Sequence, residues 1–389
     1  MLRSNGANTM GVSQRRIGLA GVMLALACAA LPLPAHAQFL FEWDGGSPGD
    51  GSPGGGNGDW EASGTGALSW IDSSASRRWT DGNTAQFAGT AGTVNVTAAF
   101  VTVDQLNFQV GGYTITGVGQ LTFNPAGGNL VQVAAGATTL NVALNATDLT
   151  FTGPGAVVLS GSNVLAGTTT LNGGVTVTLA NADALGGGGA VNLNDASLRS
   201  AINATITNQL AFVGSGSVSA ASGTTLTLAT ALVMDNNAVA KFGSTTDNGI
   251  IDFDGVIAAN TTFSVVVAGG TLRDVSLFLG LSLPAASSTT VMTGATLDFS
   301  LNPFAAVRHL QGGGNVMIAD DIGFGATLAV LVDEGGTSEF SGVISGNGAV
   351  QFVSVPAVFP PTGLDGTVIL SGDNTYTGDT FICECTVLQ

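Results

Sequence analysis

The sequence is poor in charge, in cysteine and in aromatic residues, and each shortage narrows the class of protein. Only 9% of its 389 residues are charged and 6% are aromatic, against about 25% charged residues in an average soluble domain. Beyond residue 37 the cysteines are Cys383 and Cys385. They are too close together in sequence for a disulfide that would cross-link distant parts of the fold. The sequence has two histidines, so it offers few imidazole ligands for a metal site and few general bases for nucleophilic catalysis.

The charges that are present are mostly acidic. There are 26 Asp and Glu residues against nine Lys and Arg, for a formal net charge of −17. All of the acidic residues follow position 38, whereas Arg3, Arg15 and Arg16 precede it. A surface of this sign repels phosphate and anionic lipid, so we expect no nucleic-acid binding and no basic membrane-binding patch. The acidity is consistent with simple solvation or with cationic ligands.

Residues 1–37 have the pattern of an export signal. Arg15 and Arg16 open an apolar run from Ile17 to Leu33, and Ala35-His36-Ala37 forms a small-x-small cleavage pattern before Gln38. The run is short and rich in alanine for a membrane span. We therefore predict a signal peptide at 1–37 and a mature chain that leaves the cytoplasm.

Short strands and tight corners dominate the remainder. Glycine supplies 58 residues, and valine and threonine are β-branched strand formers. After Val94, apolar residues recur at alternate positions, as in Gln105–Val110, Leu140–Leu144 and Val175–Leu179. Strands of this length also occur in sandwiches and barrels. The length without a domain break, the lack of long loops and an internal repeat favour a parallel β-helix, with about 20 residues in each turn.

The internal repeat has an offset of 211 positions. Gly155–Thr169 lies over Gly366–Thr380 with eight identities in fifteen. The repeat places Asn163 and Asn374 at equivalent corners, where we interpret both as ordinary turn residues. Four tryptophans, all between positions 43 and 79, predict an aromatic cap, because a solenoid needs its first turn covered.

The repeat carries a family resemblance. The stretch Ser371-Gly-Asp-Asn-Thr-Tyr-Thr-Gly-Asp-Thr380 resembles the strand repeat of passenger domains in Gram-negative autotransporters. Trp43-Asp-Gly-Gly46 and Phe87–Val94 resemble the start of such passengers, and Phe340–Ser345 the segment before the strand turn. The resemblance implies an all-β, right-handed parallel β-helix that is exported and displayed at the cell surface or outer membrane.

The resemblance also implies a domain organisation. We expect the signal peptide at 1–37, a glycine-rich low-complexity segment at 38–66 and a β-helical passenger at 67–389, with strand repeats near 149–188 and 338–389. In that family an outer-membrane β-barrel translocator carries the passenger across the membrane. The sequence has no such C-terminal β-barrel, so we expect a truncated gene product or fragment whose helix is incomplete at the C-terminus.

We predict no catalytic residue, no metal site and no cofactor, and the sequence does not identify a ligand-binding site. His309 is interpreted as a surface residue, and the acidic residues as members of exposed polar faces. The predicted function is adhesion or another surface interaction without catalysis, towards an unknown host or cell-surface ligand.

The alternative is a secreted β-helical lyase or hydrolase acting on polysaccharides, because paired carboxylates serve that chemistry. Its candidate acids are Asp252 with Asp254, Asp320 with Asp321, and Asp333 with Glu334. The roles of a proline-rich insertion at 355–361 and of Cys383 and Cys385 stay open.

Overall fold

Stacked parallel strands form the fold, in a computed structural model that describes residues 39–73, 75–125, 127–259, 262–276, 283, 286–319, 325–355, 364–383 and 386–389. Residues 38–389 form one compact unit, and residues 1–37, with the predicted signal peptide, lie outside the described part. The described residues contain strands and no helix.

The strands are β1 (Leu40–Trp43), β2 (Gly58–Trp60), β3 (Trp70–Asp72), β4 (Ala75–Arg77), β5 (Asn83–Phe87), β6 (Thr93–Val96), β7 (Phe100–Phe108), β8 (Thr114–Phe123), β9 (Leu130–Val133), β10 (Ala137–Ala146), β11 (Leu149–Thr152), β12 (Ala156–Leu159), β13 (Val164–Leu165), β14 (Thr169–Asn172), β15 (Thr176–Leu179), β16 (Val191–Asn194), β17 (Ala196–Ser200), β18 (Ala204–Ile206), β19 (Leu210–Phe212), β20 (Ser215–Ala220), β21 (Thr225–Leu228), β22 (Leu232–Met234), β23 (Ala238–Phe242), β24 (Ile250–Phe253), β25 (Ile257–Ala259), β26 (Phe263–Val267), β27 (Thr271–Asp274), β28 (Ser288–Val291), β29 (Thr296–Asp298), β30 (Phe304–Arg308), β31 (Leu310–Gln311), β32 (Asn315–Met317), β33 (Thr327–Asp333), β34 (Thr337–Phe340), β35 (Val343–Ser345), β36 (Ala349–Val355), β37 (Gly366–Leu370), β38 (Thr380–Ile382) and β39 (Thr386–Leu388).

These strands stack into three faces, and each turn of the solenoid contributes one strand to most faces. Face 1 runs through β1, β5, the end of β7, β9, β11, β14, β16, β19, β22 and β25, and later through β30, β33, β36 and β38. Face 2 runs through β2, β6, the starts of β8 and β10, β12, β15, β17, β20, β23, β26, β28 and β31, and later through β34, β37 and β39. Face 3 runs through the start of β7, the ends of β8 and β10, and β13, and resumes at β18, β21, β24, β27, β29, β32 and β35.

The described residues form a solenoid of about 13 turns. The predicted all-β parallel β-helix is therefore confirmed.

Period-two alternation explains why one side of each strand is buried. In β26 the residues alternate between buried and half-buried along the strand, as expected when one face meets a core. Equivalent positions stack: Leu140, Leu159 and Leu179 lie in register on successive turns and are at most 3% exposed. Burial of each such side chain contributes about 1.5–3 kcal/mol, so the inward columns are the main source of stability.

Glycine is required where one turn passes closely over another. Gly117 has a φ of 134°, and a Cβ there would lie 2.2 Å from the carbonyl oxygen of Val96. A residue with a side chain would face both the backbone strain and the clash. This position bends β8 from face 2 towards face 3, so a single strand serves two faces.

The N-terminal end is closed by aromatic packing. Trp43, Trp60, Trp70 and Trp79 are each at most 1% exposed, and Trp70 lies 4.8 Å from both Trp60 and Trp79 between ring centroids. β3 and β4 continue the sheet beyond β1 by antiparallel pairing, in contrast to the parallel strands of the stem. We refer to this region, residues 39–87, as the cap. Aromatic contact continues into the stem through Phe87, which stacks on Phe108 at 4.7 Å.

Part of the glycine-rich segment is built into the cap. Gly46 donates to the carbonyl oxygen of Gly55 at 2.7 Å, and Gly56 donates to that of Thr90 at 2.6 Å. The indole of Trp43 donates to the carbonyl oxygen of Gly56 at 2.8 Å. A Cβ on Gly55 would lie 2.3 Å from backbone and side-chain atoms of the stem. The exposed tip of this glycine-rich stretch is therefore the segment 47–54, because the glycines on either side allow close backbone packing.

Candidate functional site

Asp252, the first candidate acid, is held in an ion pair. It lies on face 3 in β24, and the pairing of β24 with β27 places Arg273 directly beside it. The guanidinium donates to both carboxylate oxygens, with Nε 2.8 Å from Oδ1 and Nη2 3.0 Å from Oδ2. This hydrogen bond raises the pKa of Arg273. Asp254 follows the end of β24 and is exposed, so the two carboxylates have different environments.

The paired state of Asp252 limits its chemistry. A general acid or base must be free to exchange a proton with substrate, whereas both carboxylate oxygens of Asp252 already accept hydrogen bonds from Arg273. The structure therefore brings Asp252 and Arg273 together as a structural pair and does not bring Asp252 and Asp254 together around a cleft. The two paired residues are 21 positions apart in the sequence, which is about one turn of the solenoid. The sequence analysis did not predict this ion pair.

His309 and Asp333 form a second cluster. His309 lies between β30 and β31 with a φ of 45°, and its Nε2 is 2.9 Å from Oδ2 of Asp333. Arg308 reaches the other carboxylate oxygen of Asp333 at 3.3 Å. The His309 side chain is 14% exposed, so the expected surface histidine is in fact largely covered. Glu334, the neighbour of Asp333, accepts a hydrogen bond from the backbone of Leu364 at 3.1 Å.

Several candidates lie outside the described residues. They are Asp320, Asp321, Cys385 and, except for Val355, the insertion at 355–361. Cys383 is described and is a free thiol of intermediate exposure. Its sulfur accepts a hydrogen bond from Nε2 of Gln351 at 3.2 Å.

Three fully buried acids were not anticipated: Asp44, Asp104 and Asp274, each 0% exposed. Asp44 accepts a hydrogen bond from the backbone of Gly54 at 3.3 Å. Burial raises the pKa of Asp44, the hydrogen bond from Gly54 lowers it, and the nearby charge of Asp50 raises it further.

The other two buried acids are held by local hydrogen bonds. Asp104 accepts from the backbone of Gly128 at 2.9 Å, and Asp274 accepts from Ser276 and Asn302. The position of Asp274 could have been predicted from the sequence, because it is two residues beyond the inward-facing Leu272. The position of Asp104 could not, because a β-bulge at this residue interrupts the alternation of its strand.

The depressions in the described surface include two that lie over the faces of the solenoid. One, of about 270 Å³, is lined by Ser162, Asp183 and Thr205 among others, where face 3 has no strand between β13 and β18. The other, of about 690 Å³, lies on face 1 near the C-terminal end and is lined by Phe304, Gln351 and Phe381 among others. The depression near the C-terminal end is the more open of the two.

The described residues contain no group of three or more His, Cys, Asp or Glu side chains arranged to hold a metal ion. In the same described part of the chain, no helix is long and apolar enough to cross a membrane.

Comparison with known proteins gives one informative match. The chain is 30% identical over 328 residues to the adhesin BmaC autotransporter of Brucella suis biovar 1 (strain 1330), which covers 76% of this chain and 8% of that protein. The chain thus spans about a twelfth of the length of the relative it matches. No family model matches the sequence, and no solved structure matches it. Together with the parallel solenoid, the match confirms the predicted resemblance to autotransporter passenger domains.

Proposed function

We propose that this chain, a β-solenoid of the autotransporter passenger type, is a surface-displayed stem that acts in adhesion or surface contact and not in catalysis. The observation that carries the proposal is the similarity to an autotransporter adhesin across 76% of the chain. That similarity covers 8% of the relative, so the adhesive activity in the relative's name is a proposal for this chain.

The architecture suits a projecting stem. Continuous inward columns such as Val157, Val177, Leu198 and Val218 tie each turn to the next, and solenoid stability is a sum of such neighbour contacts. The outer surface consists of broad faces of Thr, Ser, Asn and Gln with few charges. A long surface of this kind offers area for contact, as in other solenoid proteins that bind through extended faces.

The polysaccharide-acting alternative receives less support from the geometry. A glycosidase places two carboxylates across the scissile bond, but Asp252 is engaged by Arg273 and Asp333 by Arg308 and His309. We therefore keep adhesion as the proposed function.

Export follows from the same proposal. The signal peptide at 1–37 would direct the chain through the inner membrane, and an outer-membrane β-barrel translocator would be its partner for reaching the cell surface. The surface ligand is proposed to be a host or cell-surface molecule.

Display and adhesion can be tested together. Gram-negative cells expressing the chain joined to a translocator should lose it to external protease while a periplasmic marker survives. Beads coated with the purified chain should bind to host cell monolayers more than beads coated with an equally acidic control protein. Protection of the chain in intact cells, or equal bead binding, would count against the proposal.

The enzymatic alternative needs a separate assay. The purified chain would be incubated with neutral and acidic polysaccharides beside its Asp252→Ala and Asp254→Ala variants. Product release by the parent chain that disappears in both variants would favour the enzyme over the adhesin.

A further inference from the structure

Two phenylalanines on face 1 are exposed, whereas most of the large aromatic side chains in the described part of the stem are buried. Phe304 is 72% exposed and Phe381 is 50% exposed. Phe304 precedes the buried Ala305 in β30, so alternation directs its ring outward. Phe381 pairs in register with the outward-facing Gln351. Both rings therefore lie on the outer surface of the same face.

The two rings border the groove of about 690 Å³ that is also lined by Thr327, Gln351 and Thr380. The strands of this sheet follow the order β30, β33, β36 and β38. Three steps of about 4.8 Å separate Phe304 from Phe381 along the stack, which is about 14 Å. Phe304 aligns with Thr327 and Ala349 whereas Phe381 aligns with Gln351, so the rings are also offset by two residues, about 7 Å, along the strands. We call this surface the Phe304–Phe381 groove.

The floor of the groove between the rings is polar. Thr327 and Gln351 face outward in their strands, and the amide of Gln351 uses one hydrogen to bond the sulfur of Cys383. An amide group has two donor hydrogens and a carbonyl acceptor, so Gln351 keeps further hydrogen-bonding capacity. Aromatic surfaces that flank hydroxyl and amide groups match a ligand with apolar CH faces and a rim of hydroxyls.

Charge further restricts the ligand. Arg308, a cation on the strand that carries Phe304, is paired with Asp333 at 3.3 Å, and Asp379 is exposed beside Thr380. A carboxylated or sulfated ligand would meet this acidic surface without a free cation from these residues. A neutral ligand avoids that repulsion.

The exposure of Phe304 is not an effect of the last turn. Ile382 aligns with the buried Phe352 yet is 52% exposed, which reflects its position in the final strand of its sheet. Phe304 lies three strands further in and faces outward, so stacking of another turn would not cover it.

We propose that the Phe304–Phe381 groove binds a neutral linear oligosaccharide of about three to four pyranose units that runs obliquely across the strands of face 1. The separation of the two rings, about 16 Å by this register, is about the length of three pyranose units of an extended chain and suits stacking at both ends. Gln351 and Thr327 bind the sugar hydroxyls between them. This inference rests on the proposed adhesive function and names the class of its ligand.

The test is isothermal titration calorimetry of the full chain with cellohexaose, N-acetylated chitohexaose and hexagalacturonate. At least one of the neutral hexasaccharides should bind saturably with a Kd of about 1 mM or tighter, and hexagalacturonate should bind more weakly. Phe304→Ala and Phe381→Ala should each weaken binding by about fivefold to tenfold. Phe100→Ala, which removes a ring that is 68% exposed outside the groove, is the matched control and should bind like the parent.

Circular dichroism of each variant checks that the strands are retained. Absence of saturable binding to both neutral sugars, tighter binding of hexagalacturonate, or unchanged affinity in a folded double variant of Phe304 and Phe381 would each overturn the proposal. The bead assay separates this result from the function itself. Adhesion that persists in the double variant would leave the adhesive function standing and reject the groove as its binding site.

Discussion

The side-chain oxygen of Asn163 accepts a hydrogen bond from the backbone N–H of Leu144, one turn earlier, at 2.9 Å. Its side-chain nitrogen donates to the carbonyl oxygen of Ala184, one turn later, at 2.7 Å. Asn374 repeats the first of these bonds on the N–H of Ile344 at 2.8 Å. The asparagine of the strand repeat therefore joins neighbouring turns, which is more than the ordinary turn role expected from sequence.

Replacing Asn163 with Ala should destabilise the stem by about 1–3 kcal/mol, because it leaves the buried N–H of Leu144 without its partner. Asn374→Ala should cost less, since Asn374 is half-buried and its second bond is local, to Gly372 at 3.1 Å. Urea unfolding followed by circular dichroism measures both. Asn194→Ala, at an exposed position, is the control, and an equal loss in all three variants would contradict the role given to Asn163.

The bulk of the fold was predictable because alternation is local. Segments such as Leu140–Leu144 carry their inward and outward positions in the order of their residues, and stacking needs only that such segments recur. The cap was predictable in part, since four tryptophans close together in sequence have few places to be buried. The packing of Gly55 and Gly56 against the stem was not, because composition alone does not distinguish a close backbone contact from a flexible loop.

The polar contacts were harder to predict because they depend on register between turns. Arg273 and Asp252 are 21 positions apart, as are the bonded atoms of Asn163 and Ala184. A turn of the solenoid varies in length, so the residue directly above another is fixed only once the corner loops are known. A search for opposite charges about one turn apart would have found the Asp252 pair, but no sequence pattern identified the Phe304–Phe381 groove.

Gly342→Ala should be strongly destabilising, by more than 1 kcal/mol. A Cβ at Gly342 would lie 1.8 Å from the carbonyl oxygen of Gly314, so two successive turns would have to separate. Gly187→Ala is the matched control, because a Cβ there meets nothing within 4 Å and no positive φ is involved. Thermal unfolding should show a lower midpoint for the first variant alone, and similar midpoints for the two would refute the close-packing argument.

The stability of the cap should fall as the pH rises above the ordinary pKa of Asp44, which is 3.8. Because burial raises the pKa of Asp44 in the folded state, the folded protein binds more protons than the unfolded chain in that range. The resulting stabilisation is fully present below the unfolded pKa and is lost as the pH rises through the folded pKa. Asp44→Asn should remove this component and make the cap less sensitive to pH.

Tryptophan fluorescence is suited to this measurement, because all four tryptophans are buried in the cap. Urea midpoints would be compared between pH 4 and pH 8, with Asp59→Asn as a control that leaves Asp44 in place. If the parent and Asp44→Asn proteins lost the same stability over that range, the buried carboxyl would not be the source of the pH dependence.

Arg273→Ala should cost more stability than Asp252→Ala. The register of face 3 places Arg273 between Asp252 and Asp298. Loss of the guanidinium therefore leaves two carboxylates, about two strand spacings apart, without the cation between them, whereas loss of Asp252 leaves Arg273 beside Asp298. A double-mutant cycle on Asp252 and Arg273 should give a coupling of about 1 kcal/mol, since the pair is partly exposed, and the coupling should decrease with added salt. A coupling near zero would instead mean that the carboxylate of Asp252 is free to serve another role, which would renew the case for polysaccharide chemistry on this face.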